Sequence, residues 1–167
     1  MDFWDFSAPF YDLAMKANGS GYGDMLGLVN EIVPEGATVL EAAAGTGSIS
    51  LAVAEKAGSI LCTDISEKML NVARRKAKKH GIKNIEIANR SIYDLGEPDS
   101  SFDIVIAGHI LHLIDEPERA AAEIRRIARS MVLLPMSFAK DLGGMARFSM
   151  SFYRLFGFAP RMNLRGS

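Results

Sequence analysis

From residue 38 onward, short runs of consecutive apolar residues alternate with longer stretches in which apolar positions recur every three or four residues. Thr38-Val39-Leu40, Ser59-Ile60-Leu61-Cys62-Thr63, Ile85 to Ala88, Phe102 to Ala107 and Met131-Val132-Leu133-Leu134 predict strands over 38–41, 59–63, 85–88, 102–107 and 131–134. Between them the spacing predicts a helix over 48–56 ended by Gly58, and a second helix capped by Ser66 and closed by His80-Gly81. A third begins at Glu116-Pro117-Glu118-Arg119, with proline in its first turn and Ala121, Ile124, Ile127 and Ala128 on one stripe. Near-continuous apolar strands alternating with helices predict an α/β fold: a mainly parallel, doubly wound sheet with helices on both faces. Right-handed crossovers then bring the strand-to-helix connections to one edge. Glu41 to Gly47, Asp64, Ser91 and Gly108-His109 converge there although they are far apart in sequence.

The two ends depart from this pattern. Residues 1–23 hold Phe3, Trp4, Phe6, Phe10, Tyr11 and Tyr22 and read as an irregular aromatic arm, whose aromatics by themselves imply no more than the covering of an apolar face. Asp24 is expected to cap a helix over 25–33, ended by Pro34-Glu35-Gly36. Beyond Pro135 the alternation stops, and 137–167 form a Met/Phe-rich stretch whose apolar positions 145, 148, 152, 155 and 156 have helical spacing. The expected organisation is thus an arm over 1–23, a core over 24–136 and an apolar helical segment over 137–167. Such a segment is a candidate surface for a homodimer or an apolar ligand, with plain core packing as the alternative.

Composition narrows the classes. A chain of 167 residues, 49% hydrophobic and 23% charged, is expected to form one globular domain. A net charge of −1 gives no electrostatic reason to expect nucleic acid. The cluster Arg74-Arg75-Lys76-Ala77-Lys78-Lys79 sits at a predicted helix end, where cations suit the dipole, and reads as a solvated helix terminus. One cysteine, Cys62, cannot close an internal disulfide, and no run of 18 uncharged apolar residues occurs. The acidic start Met1-Asp2-Phe3-Trp4-Asp5 is unlike a secretion signal, so the expected location is the cytoplasm. No His, Cys and carboxylate spacing matches a metal site, so no metal is expected.

The chemistry concentrates where the first strand ends. Glu41 is followed by Ala42-Ala43-Ala44-Gly45-Thr46-Gly47, small residues that let a backbone approach a ligand closely. Asp64 ends the next strand, seventeen positions after Gly47, about where α/β nucleotide folds carry a ribose-binding carboxylate. A dinucleotide fingerprint would need glycine at 43, 45 and 48, where the chain has Ala43, Gly45 and Ser48. No phosphate-loop lysine follows either.

Glu41-x-x-x-Gly45-x-Gly47 with Asp64, and the run Asp99 to Ile106 through Leu111-His112, resemble class I S-adenosylmethionine-dependent methyltransferases. The likeness is to the branch acting on quinone precursors or phosphatidylethanolamine, over about residues 11–135. It implies a Rossmann-like fold, S-adenosyl-L-methionine as cofactor, the arm over 1–23 folded over that cofactor, and a small-molecule or lipid-like methyl acceptor. Too few residues follow 135 for the two further strands of that fold, which is therefore expected to be shortened, naturally or by truncation. The resemblance implies a cofactor bed of Tyr11, Glu41, Ala42, Ala43, Gly45, Gly47, Asp64, Ile65, Met69, Ser91 and Ile92. Glu41 would order the loop and receive the ligand's ammonium, Asp64 would take the ribose hydroxyls, and Ile65 with Met69 would sandwich the adenine. Ser91 stands where the family often has aspartate, and Ala43 where it usually has glycine; alanine fits there if its φ is negative. His109 is the candidate general base, or a histidine that only orients a neighbour. The alternative function is a catalytically silent cofactor-binding or partner-binding module.

Overall fold

The computed structural model describes residues 3–13, 20–108, 110, 111 and 113–134. His109, His112 and the stretch 137–167, with the homodimer surface expected of it, lie outside the described residues. Among the described residues ten elements follow in order: α1 (Phe3–Ser7), α2 (Ser20–Ile32), β1 (Thr38–Ala42), α3 (Ser48–Val53), β2 (Ser59–Asp64), α4 (Glu67–Lys79), β3 (Ile85–Asn89), β4 (Phe102–Gly108), α5 (Pro117–Ile127) and β5 (Ala128–Leu134). All strand pairings are parallel, in the order β3-β2-β1-β4-β5. The chain winds outward from β1 to β3 and then returns to the other side of β1. The connections after β1 and β4 therefore diverge, and a crevice opens at the carboxyl ends of these strands, where such sheets bind ligands.

The period-two alternation sorts the strand residues onto two faces. Val39, Ile60, Ile104 and Ile106 pack with Val29 and Val33 of the α2 region and with Ile49 and Val53 of α3. Leu40, Ala42, Leu61, Val105 and Ala107 pack instead with Ala120, Ile124 and Ile127 of α5. Glu41 lies between Leu40 and Ala42 and so belongs to the α3 face. The expected stripe on α5 is present at Ile124 and Ile127, with Ala120 buried in place of Ala121 and Ala128 partly buried against the same core.

Several boundaries differ from the sequence reading. Asp24 does not cap a helix; α2 starts at Ser20 and carries Asp24 in its interior. The arm is not irregular: 3–7 and 11–13 are helical. Glycines at 21 and 23 argue locally against a helix, but the burial of Val29 and Val33 overrides that local cost of about 1 kcal/mol per glycine. α3 ends at Val53 rather than at Lys56, and in the turn beyond it Asn84 Nδ2 donates to Ala54 O at 2.9 Å and Ala57 O at 2.8 Å. Lys56 turns back to cap α2, donating to Asn30 O and Glu31 O at 2.9 and 3.1 Å. Ser66 caps α4 as expected, its hydroxyl accepting from Met69 N at 3.2 Å.

The opposite edge of the sheet is stapled by Asp103. Its Oδ2 accepts from Thr38 N at 2.9 Å and Thr38 Oγ1 at 2.8 Å, and its Oδ1 from Arg129 at 2.6 Å. These bonds hold the carboxyl down at about 2 and join the starts of β1, β4 and β5. At the same edge Gly58 N donates to Ala37 O at 2.9 Å, and a Cβ on Gly58 would stand 2.4 Å from Gly36 O. Both partners of that approach are backbone and cannot yield cheaply. Gly58→Ala should therefore cost about 1–3 kcal/mol in urea unfolding. An unchanged midpoint would show that the two turns are not packed this closely.

Candidate functional site

Glu41 is 3% exposed, and its Oε2 accepts from Ser50 N at 2.7 Å and Ser50 Oγ at 2.5 Å. A carboxylate in a sheet interior is tolerated only when bonded in this way. Burial is the largest influence on it and raises its pKa to about 7, while the Ser50 bonds pull the other way and the charge of Asp64 adds to the rise. Through these bonds Glu41 pins α3 to the end of β1.

Asp64 lies one strand away, 8% exposed. Its Oδ2 accepts from Gly45 N at 2.7 Å and its Oδ1 from Ser66 N at 2.8 Å. The loop between the two acids makes its bend with left-handed residues: Ala43 at φ 52°, Gly45 at 55° and Gly47 at 70°. Gly47 is required twice over, since a Cβ there would also sit 3.1 Å from Ala73 Cβ and 3.3 Å from Cys62 Sγ. A Cβ at Gly45 would meet nothing within 4 Å, so the loop faces open space at that point. The condition under which alanine fits, a negative φ, is not met at Ala43. This residue holds a conformation that costs an L-residue about 1–2 kcal/mol, which fits the glycine usual at this position in the resembled family.

The remaining candidates separate. Ile65 is 66% exposed beside Asp64, whereas Met69 is only 1% exposed and points into the interior. The described structure does not pair them as two walls of a slot. Ile92 is also interior, packed in the α5-side core. Ser91 sits at the β3 exit, its hydroxyl accepting from Tyr93 N at 3.2 Å in a local turn. Tyr11 is half-buried in the arm. His109 and His112 lie outside the described residues. Cys62 is buried, and burial raises its thiol far above the usual range, as suits a small core residue. Among the described residues no group of three His, Cys or acidic side chains stands close enough to hold a metal.

Three residues of this edge were not legible in the sequence as site residues. Ser50 anchors Glu41, with no local signal to mark it. Asp5 accepts from Ser66 Oγ at 2.8 Å. Lys76, read from sequence as part of a solvated helix end, reaches Asp12 at 2.9 Å and Ser48 Oγ at 2.9 Å. Its position three residues after buried Ala73 and one before buried Ala77 is the signal that could have set it apart from its basic neighbours.

The donor set fits an adenosyl sulfonium. It has two strand-end carboxylates suited to hydroxyl and ammonium donors, an exposed apolar side chain at Ile65, and a bend of small residues open at Gly45. The titration of Glu41 and the backbone of Ala43 can each be tested without a ligand. Because the folded Glu41 binds its proton more tightly than the unfolded chain does, its contribution to stability is complete below about pH 4.5. That contribution falls as pH rises to about 7, by roughly 3 kcal/mol at most. Glu41→Gln should flatten stability over that window; an unchanged pH profile would show that the acid titrates normally. Ala43→Gly should keep or raise stability by up to about 1 kcal/mol, while Ala43→Val should lose about 2 kcal/mol or more. Equal midpoints for the two variants would remove the left-handed assignment.

Comparison with known proteins agrees with this geometry. A methyltransferase domain family matches residues 39–131. A phosphatidylethanolamine N-methyltransferase of Cereibacter sphaeroides is 33% identical over 114 residues, covering 66% of this chain and 56% of that protein. A demethylmenaquinone methyltransferase of Bacillus velezensis is 33% identical over 100 residues, covering 58% of this chain and 43% of that protein. The chain thus spans about half the length of the curated relatives it matches. In fold it is similar to the YcgJ protein of Bacillus subtilis, with a TM-score of 0.67 and 24% identity over 80% of this chain and 58% of that one. The family match takes in more than half of the chain, from the middle of β1 into β5, and on that ground the chain belongs to the methyltransferase domain family of class I, whose cofactor is S-adenosylmethionine.

Proposed function

We propose that the chain transfers a methyl group from S-adenosylmethionine to a small-molecule or lipid-like acceptor. The observation that carries this reading is the pair of strand-end carboxylates, Glu41 and Asp64, flanking a left-handed bend at the sheet's switch point. When bound, the cofactor would supply an electrophilic methyl group on a sulfonium. Asp64, oriented by two backbone amides, would take the ribose hydroxyls. Glu41 would receive the ligand's ammonium, and that neighbouring cation would pull its carboxyl back toward the ionised form. Ala42, Ala43, Gly45 and Gly47 would let the backbone lie close, Tyr11 would approach from the arm, and Ile65 would cover one face of the adenine. Ser91 would stand at the far end of the adenine, with Ile92 and Met69 supporting the bed from the interior.

The protein's task in such a displacement is alignment and exclusion of water. An acceptor that carries a proton also needs a base, and His109, next after β4, has the right chemistry. The lipid-like acceptor is supported by the names of the two relatives, one for phosphatidylethanolamine and one for demethylmenaquinone. The stretch 137–167 is the proposed homodimer surface. No described helix is long and apolar enough to cross a membrane. A silent binding module of the same fold is the second reading, favoured by one observation: both acids already accept from the protein's own amides, Asp64 from Gly45 in the loop and Glu41 from Ser50 in α3.

Thermal unfolding with ligands tests the cofactor assignment. S-adenosylhomocysteine at a hundredfold over its Kd should add about 2.7 kcal/mol of stability, and NAD should add none. Asp64→Ala should abolish the response; a retained response would remove Asp64 from the ribose. Methyl transfer to quinols, amines or phosphatidylethanolamine vesicles then supports the enzyme, and binding without turnover on any of them supports the module.

A further inference from the structure

Four polar groups from three separate parts of the chain meet beside the glycine-rich bend. Lys76 Nζ, from α4, stands 2.9 Å from Asp12 Oδ2, 2.9 Å from Ser48 Oγ and 3.4 Å from Thr46 Oγ1. Asp12 Oδ1, from the arm, accepts from Thr46 Oγ1 at 2.5 Å and from Ser48 Oγ at 3.4 Å. The lysine and aspartate side chains are 24% and 32% exposed, and Thr46 is 1% exposed. An isolated surface ion pair contributes little, but here the two charges share hydroxyl partners in a partly water-free setting, where such networks are stronger.

The arm has a second fastening. Asp5 accepts from Ser66 Oγ at 2.8 Å and lies 3.8 Å from Lys68 Nζ. Ser66 in turn donates its amide to Asp64. The arm is therefore tied at Asp5 to the exit of β2 and at Asp12 to the exit of β1, the two strand ends that carry the bed's carboxylates. The arm is thus fastened at both of the strand exits that flank the proposed bed.

We propose that Lys76 is a positioning residue that sets how long the cofactor stays bound, by holding Asp12 of the arm against Thr46 and Ser48. The proposal rests on the reading that this bed takes S-adenosylmethionine. Its basis is charge, so it predicts a salt-dependent dissociation rate rather than a change in the bed itself.

The test is stopped-flow dissociation of S-adenosylhomocysteine from the full chain and its variants. Lys76→Met should release the ligand about tenfold faster, with a smaller change in the association rate. Lys76→Arg should restore slow release, because the cation and its donors are kept. Raising salt from about 0.05 to about 0.5 M should speed release from the unaltered chain but not from Lys76→Met. Without ligand, hydrogen exchange over 3–13 should quicken in Lys76→Met while β1 stays protected. Equal dissociation rates in Lys76→Met and the unaltered chain, or no rescue by arginine, would overturn the proposal. If Lys76→Met fails to fold, Asp12→Asn removes the same pair from the arm side and should show the same faster release. If the unaltered chain binds no S-adenosylhomocysteine, the cofactor reading fails. Exchange over 3–13 then still decides whether Lys76 fastens the arm, and unchanged exchange there rejects the fastening too.

Discussion

Two carboxylates at the ends of adjacent strands, one bonded to the bend between them and the other to the helix that follows it, are what the rest of the structure depends on. A buried acid needs donors, and here the donors are backbone amides: Ser50 N for Glu41 and Gly45 N for Asp64. The bond network that makes the acids tolerable therefore also shapes the loop. α3 is held to β1 through Glu41, and the bend is drawn over β2 through Asp64. The left-handed residues Ala43, Gly45 and Gly47 are what allow a chain so constrained to turn.

The sheet serves this arrangement. β1 is central, with β2 on one side and β4 on the other, so the acids sit at the mouth of the crevice rather than at an edge. The Asp103 staple fixes the opposite ends of β1, β4 and β5, and the Gly36 and Gly58 turns close tightly beside it. One end of the sheet is thereby made rigid by backbone and side-chain bonds. The other end carries the loops, the arm and the open space at Gly45. Rigid scaffold below and adaptable loops above is the usual division of labour in folds of this kind.

Much of this was legible in the sequence because it depends on local pattern. All five strands, the Ser66 cap, the proline start of α5 and the placing of Glu41 and Asp64 at one edge follow from period and turn chemistry. What was not legible depends on contacts between distant parts of the chain. α2 starts early because Val29 and Val33 are buried by the sheet, which outweighs its glycines. Met69 shares a stripe with Leu70 and Ala73 and turns inward, so its nearness to Asp64 in sequence misrepresents its surroundings. The positive φ of Ala43 is imposed by bonds on both sides of it, and nothing in an alanine announces it. Lys76 looks like its basic neighbours until α4 is docked against the bend, and only then does Asp12, sixty-four residues earlier, become its partner.

The most direct measurement of the central claim is a crystal structure of the chain with S-adenosylhomocysteine. The account predicts the ribose hydroxyls on the Asp64 carboxylate, the amino group toward Glu41 and the ligand lying along the bend at Gly45. A ligand bound elsewhere, or the bend left empty at saturating ligand, would contradict it.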